Sequence, residues 1–260
     1  MSPLNPQTVQ QLLDWKAPPR QDVLAYGILP AGAVMFLYGE YDTRKSWLAM
    51  DMGYSIASGI PWLCYPSKQR RVLLLDGELT KEQSQDRWKA YQVGHSIQSL
   101  PSSCLYTAAG VELSIDTFQG MTELANAIQA QQAEVVILDN LYTLMAGDLN
   151  NNTAAKLFIT NCRRLRTLHN PGVTFVIVHH SHQPTYDFAR GKQVKLRAFE
   201  MFGSSFFTNW ADTIMEVSHE IPGITDTITL TPQKYRLAPA VPPVMQFNFS
   251  RNPVGFDWLI

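Results

Sequence analysis

Lys45 and Ser46 stand side by side in the stretch GEYDTRKSW, residues 39–47, with Gly39 opening it. A glycine, four spacer residues, a second glycine, a lysine and a hydroxyl make a loop that binds polyphosphate. Its backbone N–H groups cradle the phosphates, the lysine reaches the β- and γ-phosphates, and the hydroxyl holds Mg²⁺. The spacing makes Gly39, Glu40, Tyr41, Asp42, Thr43, Arg44, Lys45, Ser46 and Trp47 the candidate nucleotide contacts, with ATP and Mg²⁺ as the expected ligands. Arg44 occupies the place of the second glycine. If the backbone there needs positive φ, an ordinary residue costs about 1 kcal/mol or more. The alternative is that its guanidinium adds a cation to the phosphates.

Three apolar runs each end in groups that suit phosphoryl chemistry. LLLDGE brings Asp76 and Glu78, VVILDN brings Asp139 and Asn140, and FVIVHHSH brings His179, His180 and His182. One acid can hold a metal's water shell, a second can polarise an attacking water, and a polar group can sense the γ-phosphate. Terminal acids also serve as helix caps, so it is their convergence with Lys45 and Ser46 that favours hydrolysis. No carboxylate or cysteine lies near the histidines at ligand spacing, so a zinc site is not expected.

The polar stretch QPTYDFARGKQVKLRAFEMFGSS carries Arg190, Lys192, Lys195 and Arg197 within a few residues. These side chains suit salt-dependent contacts to nucleic-acid phosphates, and Tyr186, Phe188 or Phe199 suit stacking on bases. The competing reading is a solvated loop that closes over the nucleotide. A second loop, MAGDLNNNTAAK, has only Lys156 as a cation and asparagines that suit turns. Trp47, Trp62, Trp88 and Trp210 read as core rather than base platforms.

The elements that must position these groups alternate along the chain. AVMFLYG, RRVLLLDGE, SSCLYTA, AEVVILDNL and VTFVIVHHS read as strands with amphipathic helical stretches between them. Continuous apolar strands separated by helices predict a parallel sheet covered on both faces, with ligands bound beyond the strands' carboxyl ends. From SSFFTNWADTIMEV onward, DTITLTPQKYRL, PVMQFNFS and GFDWLI predict a C-terminal antiparallel extension. Residues 1–27 read as a polar segment with a short amphipathic stretch, Val9 to Trp15, and a linker; residues 28–260 read as one domain.

Length and composition agree with one globular domain: 260 residues, 45% hydrophobic and 17% charged. Lys+Arg 21 against Asp+Glu 22 leaves a net charge of -1, so no global field draws polyanions and any such binding is local. Cys64, Cys104 and Cys162 are odd in number and lack metal spacing, which predicts small buried thiols in a cytoplasmic protein. No leader or membrane-spanning run is read, and no membrane association is expected.

The ordered set GEYDTRKSWLAM, VLLLDGELT, VVILDNLYTL, FVIVHHS, GSSFFTNWADTIMEV and QKYRLAP resembles RecA-like hexameric ATPases of the plasmid RepA and DnaB-like replicative-helicase group, from about Ile28 to the end of the chain. The resemblance implies an α/β RecA-like P-loop NTPase core. It implies Glu78 as the catalytic base, Asp139 with Ser46 at the metal, and His179 as the γ-phosphate sensor, with His180 its competitor. It further implies that Lys234 and Arg236 in QKYRL reach the γ-phosphate bound by a neighbouring subunit. The implied whole is a homo-hexameric motor on single-stranded DNA, with other replication or mobile-element proteins as partners. Two rivals stay open: a slow ATP-binding regulatory or assembly protein of the same fold, and a nucleotide-independent scaffold.

Overall fold

The protein is described by a computed structural model over residues 6–168, 172–181, 186–187, 192–193, 204–219, 226–251 and 253–259. A short helix α1 (Val9–Asp14) begins with a capping box between Thr8 and Gln11 and buries no residue. Strand β1 (Asp22–Leu24) pairs antiparallel with β2 (Leu29–Pro30). Val23 and Leu24 are already buried there, so core packing begins ahead of Ile28.

Among the described residues, the main sheet has nine strands. Six are parallel: β3 (Val34–Gly39), β4 (Val72–Asp76), β5 (Leu105–Ala109), β6 (Val135–Asp139), β7 (Thr174–His180) and β10 (Thr213–His219). The remaining three, β11 (Thr227–Tyr235), β12 (Met245–Arg251) and β13 (Val254–Trp258), are the expected antiparallel extension. The spatial order is β13-β12-β11-β10-β3-β7-β6-β4-β5, and a separate two-residue pair joins β8 (Tyr186–Asp187) to β9 (Lys192–Gln193).

Alternate residues of the parallel strands face opposite sides, and each side has its own apolar layer. On one side Met35, Leu37, Leu74, Ile137 and Val178 meet helices α2 (Lys45–Ser58) and α3 (Lys81–Gly94) through Leu48, Met52, Ile56 and Tyr91. On the other, Phe36, Leu75, Leu138, Phe175 and Ile177 meet α4 (Phe118–Gln131), α5 (Asn152–Arg166) and α6 (Ser205–Trp210) through Leu124, Phe158, Cys162 and Phe207. Each fully buried side chain of this kind contributes about 1.5–3 kcal/mol, enough to hold marginal helices such as α3 against the sheet.

Two expectations change here. The SFFTNW stretch is a helix, α6, and TIMEVSH that follows is a sixth parallel strand rather than part of the antiparallel extension. Cys162 is buried, whereas Cys64 is exposed; all three thiols are free. Trp62 and Trp210 are core side chains as expected.

Candidate nucleotide-binding site

The register aligns the carboxyl ends of the parallel strands: Gly39 sits opposite His180, and Asp76 opposite Asp139. At this edge β3 passes into a five-residue turn that opens α2. A Cβ at Gly39 would lie 2.0 Å from the Val217 carbonyl oxygen of β10, so only glycine fits there. The loop then takes left-handed backbone at Asp42 (φ 62) and Arg44 (φ 67). The positive φ foreseen for the missing glycine is present, at a cost of about 1 kcal/mol for a side-chain-bearing residue.

Among the described residues, α2 lacks the side-chain N-cap that Thr80 gives α3, Thr117 gives α4, Asn151 gives α5 and Ser204 gives α6. Its first-turn N–H groups and the positive end of its dipole are left to an anion. Lys45, 5% exposed, folds back to donate to the Glu40 carbonyl at 2.5 Å and to Thr43 Oγ1 at 3.1 Å. Burial lowers its pKa to about 8, against the pull of Asp139, Glu78, Asp42 and Glu40.

An open cleft of about 560 Å³ lies over this loop, lined by the loop itself together with Trp47, Glu78, Arg87, Asp139, Asn140 and His180. Ser46 and Asp139 line this cleft together, and burial, with neighbouring Asp76, raises the Asp139 pKa to about 7. No group of three or more His, Cys, Asp or Glu suited to a metal exists among the described residues. One hydroxyl and one carboxylate with room for phosphate oxygens and water is the donor set Mg²⁺ takes alongside a nucleotide.

Asp76 Oδ1 accepts the N–H groups of Glu78 and Leu79, each at 2.9 Å, which turns Glu78 into the cleft. The Asn140 amide donates to Glu78 Oε1 and lies 3.0 Å from His180 Nε2, itself 3.7 Å from the same carboxylate oxygen. His180, then burial opposing it, then Asn140 set the Glu78 pKa, with a net lowering.

His180, rather than the preferred His179, faces the cleft. His179 is fully buried on the other side of β7, its ring 6.4 Å from Phe36 and 6.2 Å from Phe207. One strand position reverses the face, which corrects the expectation for His179.

Arg44 lines the cleft, yet its guanidinium is engaged by Asp42, Asp226 and the Phe249 ring. Arg87 of α3 was missed: it sits 5.2 Å over the Trp47 ring and lowers the Asp139 pKa. The signal was its helical spacing from buried Ser84 and Tyr91, which puts it on the inward face.

Lys234 and Arg236 are not brought to this cleft. Lys234 pairs across from Ile214 near the start of β10, toward the opposite end of the sheet from the phosphate loop. Its Nζ donates to the carbonyls of Thr208 (2.7 Å) and Asn209 (3.3 Å), and Arg236 donates to Asn209 (3.0 Å) and lies 3.5 Å from Asp212. Arg190, Lys195, Arg197, Phe188, Phe199 and His182 lie outside the described residues, and Lys192 is described only as backbone of β9. In the second loop Asn151 caps α5, and Lys156 sits 4.8 Å over the Phe206 ring.

A family described as an AAA domain, AAA_25, matches residues 2–185, most of the chain and all of the loop, both acids and both histidines. The chain belongs to the AAA_25 family. Its fold is also that of a solved structure, a KaiC-like protein from the hyperthermophilic archaeon Pyrococcus horikoshii, at TM-score 0.59 and 12% identity over 89% of this chain and 91% of that one. No curated protein matches the sequence. This AAA_25 chain is therefore a RecA-like P-loop ATPase domain. The family match ends before β10, so Lys234, Arg236 and the antiparallel extension of the AAA_25 chain lie beyond it. No described helix is long and apolar enough to cross a membrane.

Proposed function

We propose that the chain binds ATP with Mg²⁺ in this cleft, hydrolyses it, and uses the cycle in a head-to-tail homo-oligomeric ring, a hexamer by resemblance, to move on or remodel single-stranded DNA in the manner of RepA and DnaB-like helicases. The observation that carries the ATPase reading is the meeting of Lys45, Ser46, Asp139, Glu78 and His180 at one sheet edge. Bound Mg²⁺ would neutralise phosphate charge from Ser46 and Asp139. Lys45 swings from Glu40 to the β- and γ-phosphates. Glu78 takes a proton from the water that attacks the γ-phosphorus as the bond to the β–γ bridging oxygen breaks. His180 and Asn140 hold the Glu78 carboxylate until phosphate engages them.

The ring draws on the K-x-R spacing that Lys234 and Arg236 share with the resembled family, and on their place on the sheet away from their own chain's phosphate loop. Arg190, Lys192, Lys195 and Arg197 supply the DNA contacts, in a cytoplasmic setting with replication or mobile-element proteins as partners. A second reading, a slow nucleotide-dependent assembly switch, is favoured by the hold of Asn140 and His180 on Glu78. ATP turnover with and without single-stranded DNA, alongside particle mass, separates the two. Stimulation by DNA in a ring supports the motor, a ring with slow unstimulated turnover supports the switch, and no nucleotide binding defeats both.

A further inference from the structure

The tip of the phosphate loop is gripped by the antiparallel extension. Arg44, 9% exposed, contacts the Asp42 carboxylate, donates to the Asp42 carbonyl at 3.0 Å, lies 3.7 Å from Asp226 Oδ1 and stands 5.3 Å over the Phe249 ring. The Asp42 carbonyl is also hydrogen-bonded with His219 Nε2 at 2.9 Å, and the Asp42 carboxylate is 3.8 Å from Arg251. His219 ends β10, Asp226 immediately precedes β11, and Phe249 and Arg251 belong to β12. The Asp226 carbonyl accepts the Phe249 N–H at 2.9 Å, so the carboxylate and the ring that receive Arg44 are held to each other.

This arrangement accounts for an arginine at a position built for glycine. Glycine adopts the left-handed turn freely, and free it remains. Arg44 adopts the same turn and is anchored there: its planar fork suits two carboxylates and its face suits an aromatic ring, which a lysine would serve less well. With Asp42 and Asp226 beside it, its charge is already matched within the protein and is not what the phosphates meet.

We propose that Arg44 is a positioning residue that couples the phosphate loop to β11 and β12, so that nucleotide at the loop stiffens the C-terminal strands. β11 begins next to Asp226 and carries Lys234 at its far end, followed by Arg236, so the same strand joins a chain's own site to the residues proposed for its neighbour's. The coupling rests on the proposed function only in taking nucleotide as the loop's ligand.

Amide hydrogen exchange on the full chain tests it, with ADP and with a slowly hydrolysed ATP analogue. In the wild type, nucleotide slows exchange over residues 227–230, where β11 pairs with β12. R44G and D226A should still bind nucleotide, weakened by no more than roughly tenfold, and lose that protection. R44K should retain part of it. The R44G/D226A double variant should be no worse than either single one, because both cut the same link. Protection of β11 that persists in R44G, or losses that add in the double variant, would overturn the coupling. If the wild type binds no nucleotide, the proposed function fails on its own. The link is then read without ligand: D226A should speed exchange over residues 40–46, and unchanged exchange there would sink it.

Discussion

At the scale of single residues, adjacent histidines divide into a core group and a site group. His180→Ala should cut ATP turnover by about 10²-fold, the loss expected when a polar group at the reacting phosphate is removed, with little change in the denaturant midpoint. His179→Ala should do the reverse, costing about 2–4 kcal/mol in a denaturant titration through the cavity left beside Phe36 and Phe207. Lys45 adds a pH signature. Burial lowers its pKa to about 8, and phosphates need it charged, so ATP affinity should fall as pH rises through about 8. Lys45→Arg, charged throughout, should flatten that slope in a calorimetric titration. Stability of the nucleotide-free protein runs the other way. A lowered ammonium pKa is a cost while Lys45 is charged, and the cost fades from about 8 up toward the unfolded value of 10.5.

At the scale of elements, the turn after β4 shows how backbone sets chemistry. Asp76 binds two amides of its own turn, and a Cβ at Gly77 would meet Thr143 Oγ1 at 2.3 Å. Asp76→Ala should cost about 1–3 kcal/mol and lower kcat as Glu78 loses its aim, whereas Asp76→Asn keeps Oδ1 and should keep both. Urea titration and steady-state turnover of the pair check this. Much of this level was legible in the sequence: VLLLD, VVILD and TFVIVHH are apolar throughout because both faces of their strands are buried; VVILD and TFVIVHH end in the Asp139 and His180 that line the cleft, and VLLLD ends in the Asp76 that holds the Glu78 turn. That same uniformity hid which histidine faces outward, since a strand buried on both sides offers no alternation to read. Helix α6 was hidden because Phe206, Phe207 and Trp210 suit a strand by composition, and its six residues give too few turns for a period. Arg44's partners were out of reach: Asp226 and Phe249 meet it only through β11 and β12, distant in sequence.

At the scale of the whole molecule, the proposed ring makes the active site a property of two chains. Arg236→Ala should bind ATP with near-normal affinity and lose turnover, and so should Glu78→Gln; mixing the two should restore a fraction of wild-type activity, because some interfaces then hold an intact acid and an intact arginine. Melting curves of Arg236→Ala separate this from loss of its bonds to Asn209 and Asp212. No recovery on mixing, with subunit exchange confirmed by mass, counts against a shared site. The order of strands has a further consequence, in the making of the protein. β3, which launches the phosphate loop, lies between β7 and β10. Gly32, just ahead of β3, bonds Thr174, 142 residues on, and Val34 at its start bonds Asp212, 178 residues on. On the ribosome, at about 5–20 residues per second, the strand emerges among the first and waits roughly ten seconds or more for its partners. Until then VMFLYG is an uncovered apolar strand with no charge, so the strand that launches the phosphate loop in the folded chain is one that needs a chaperone in the nascent one.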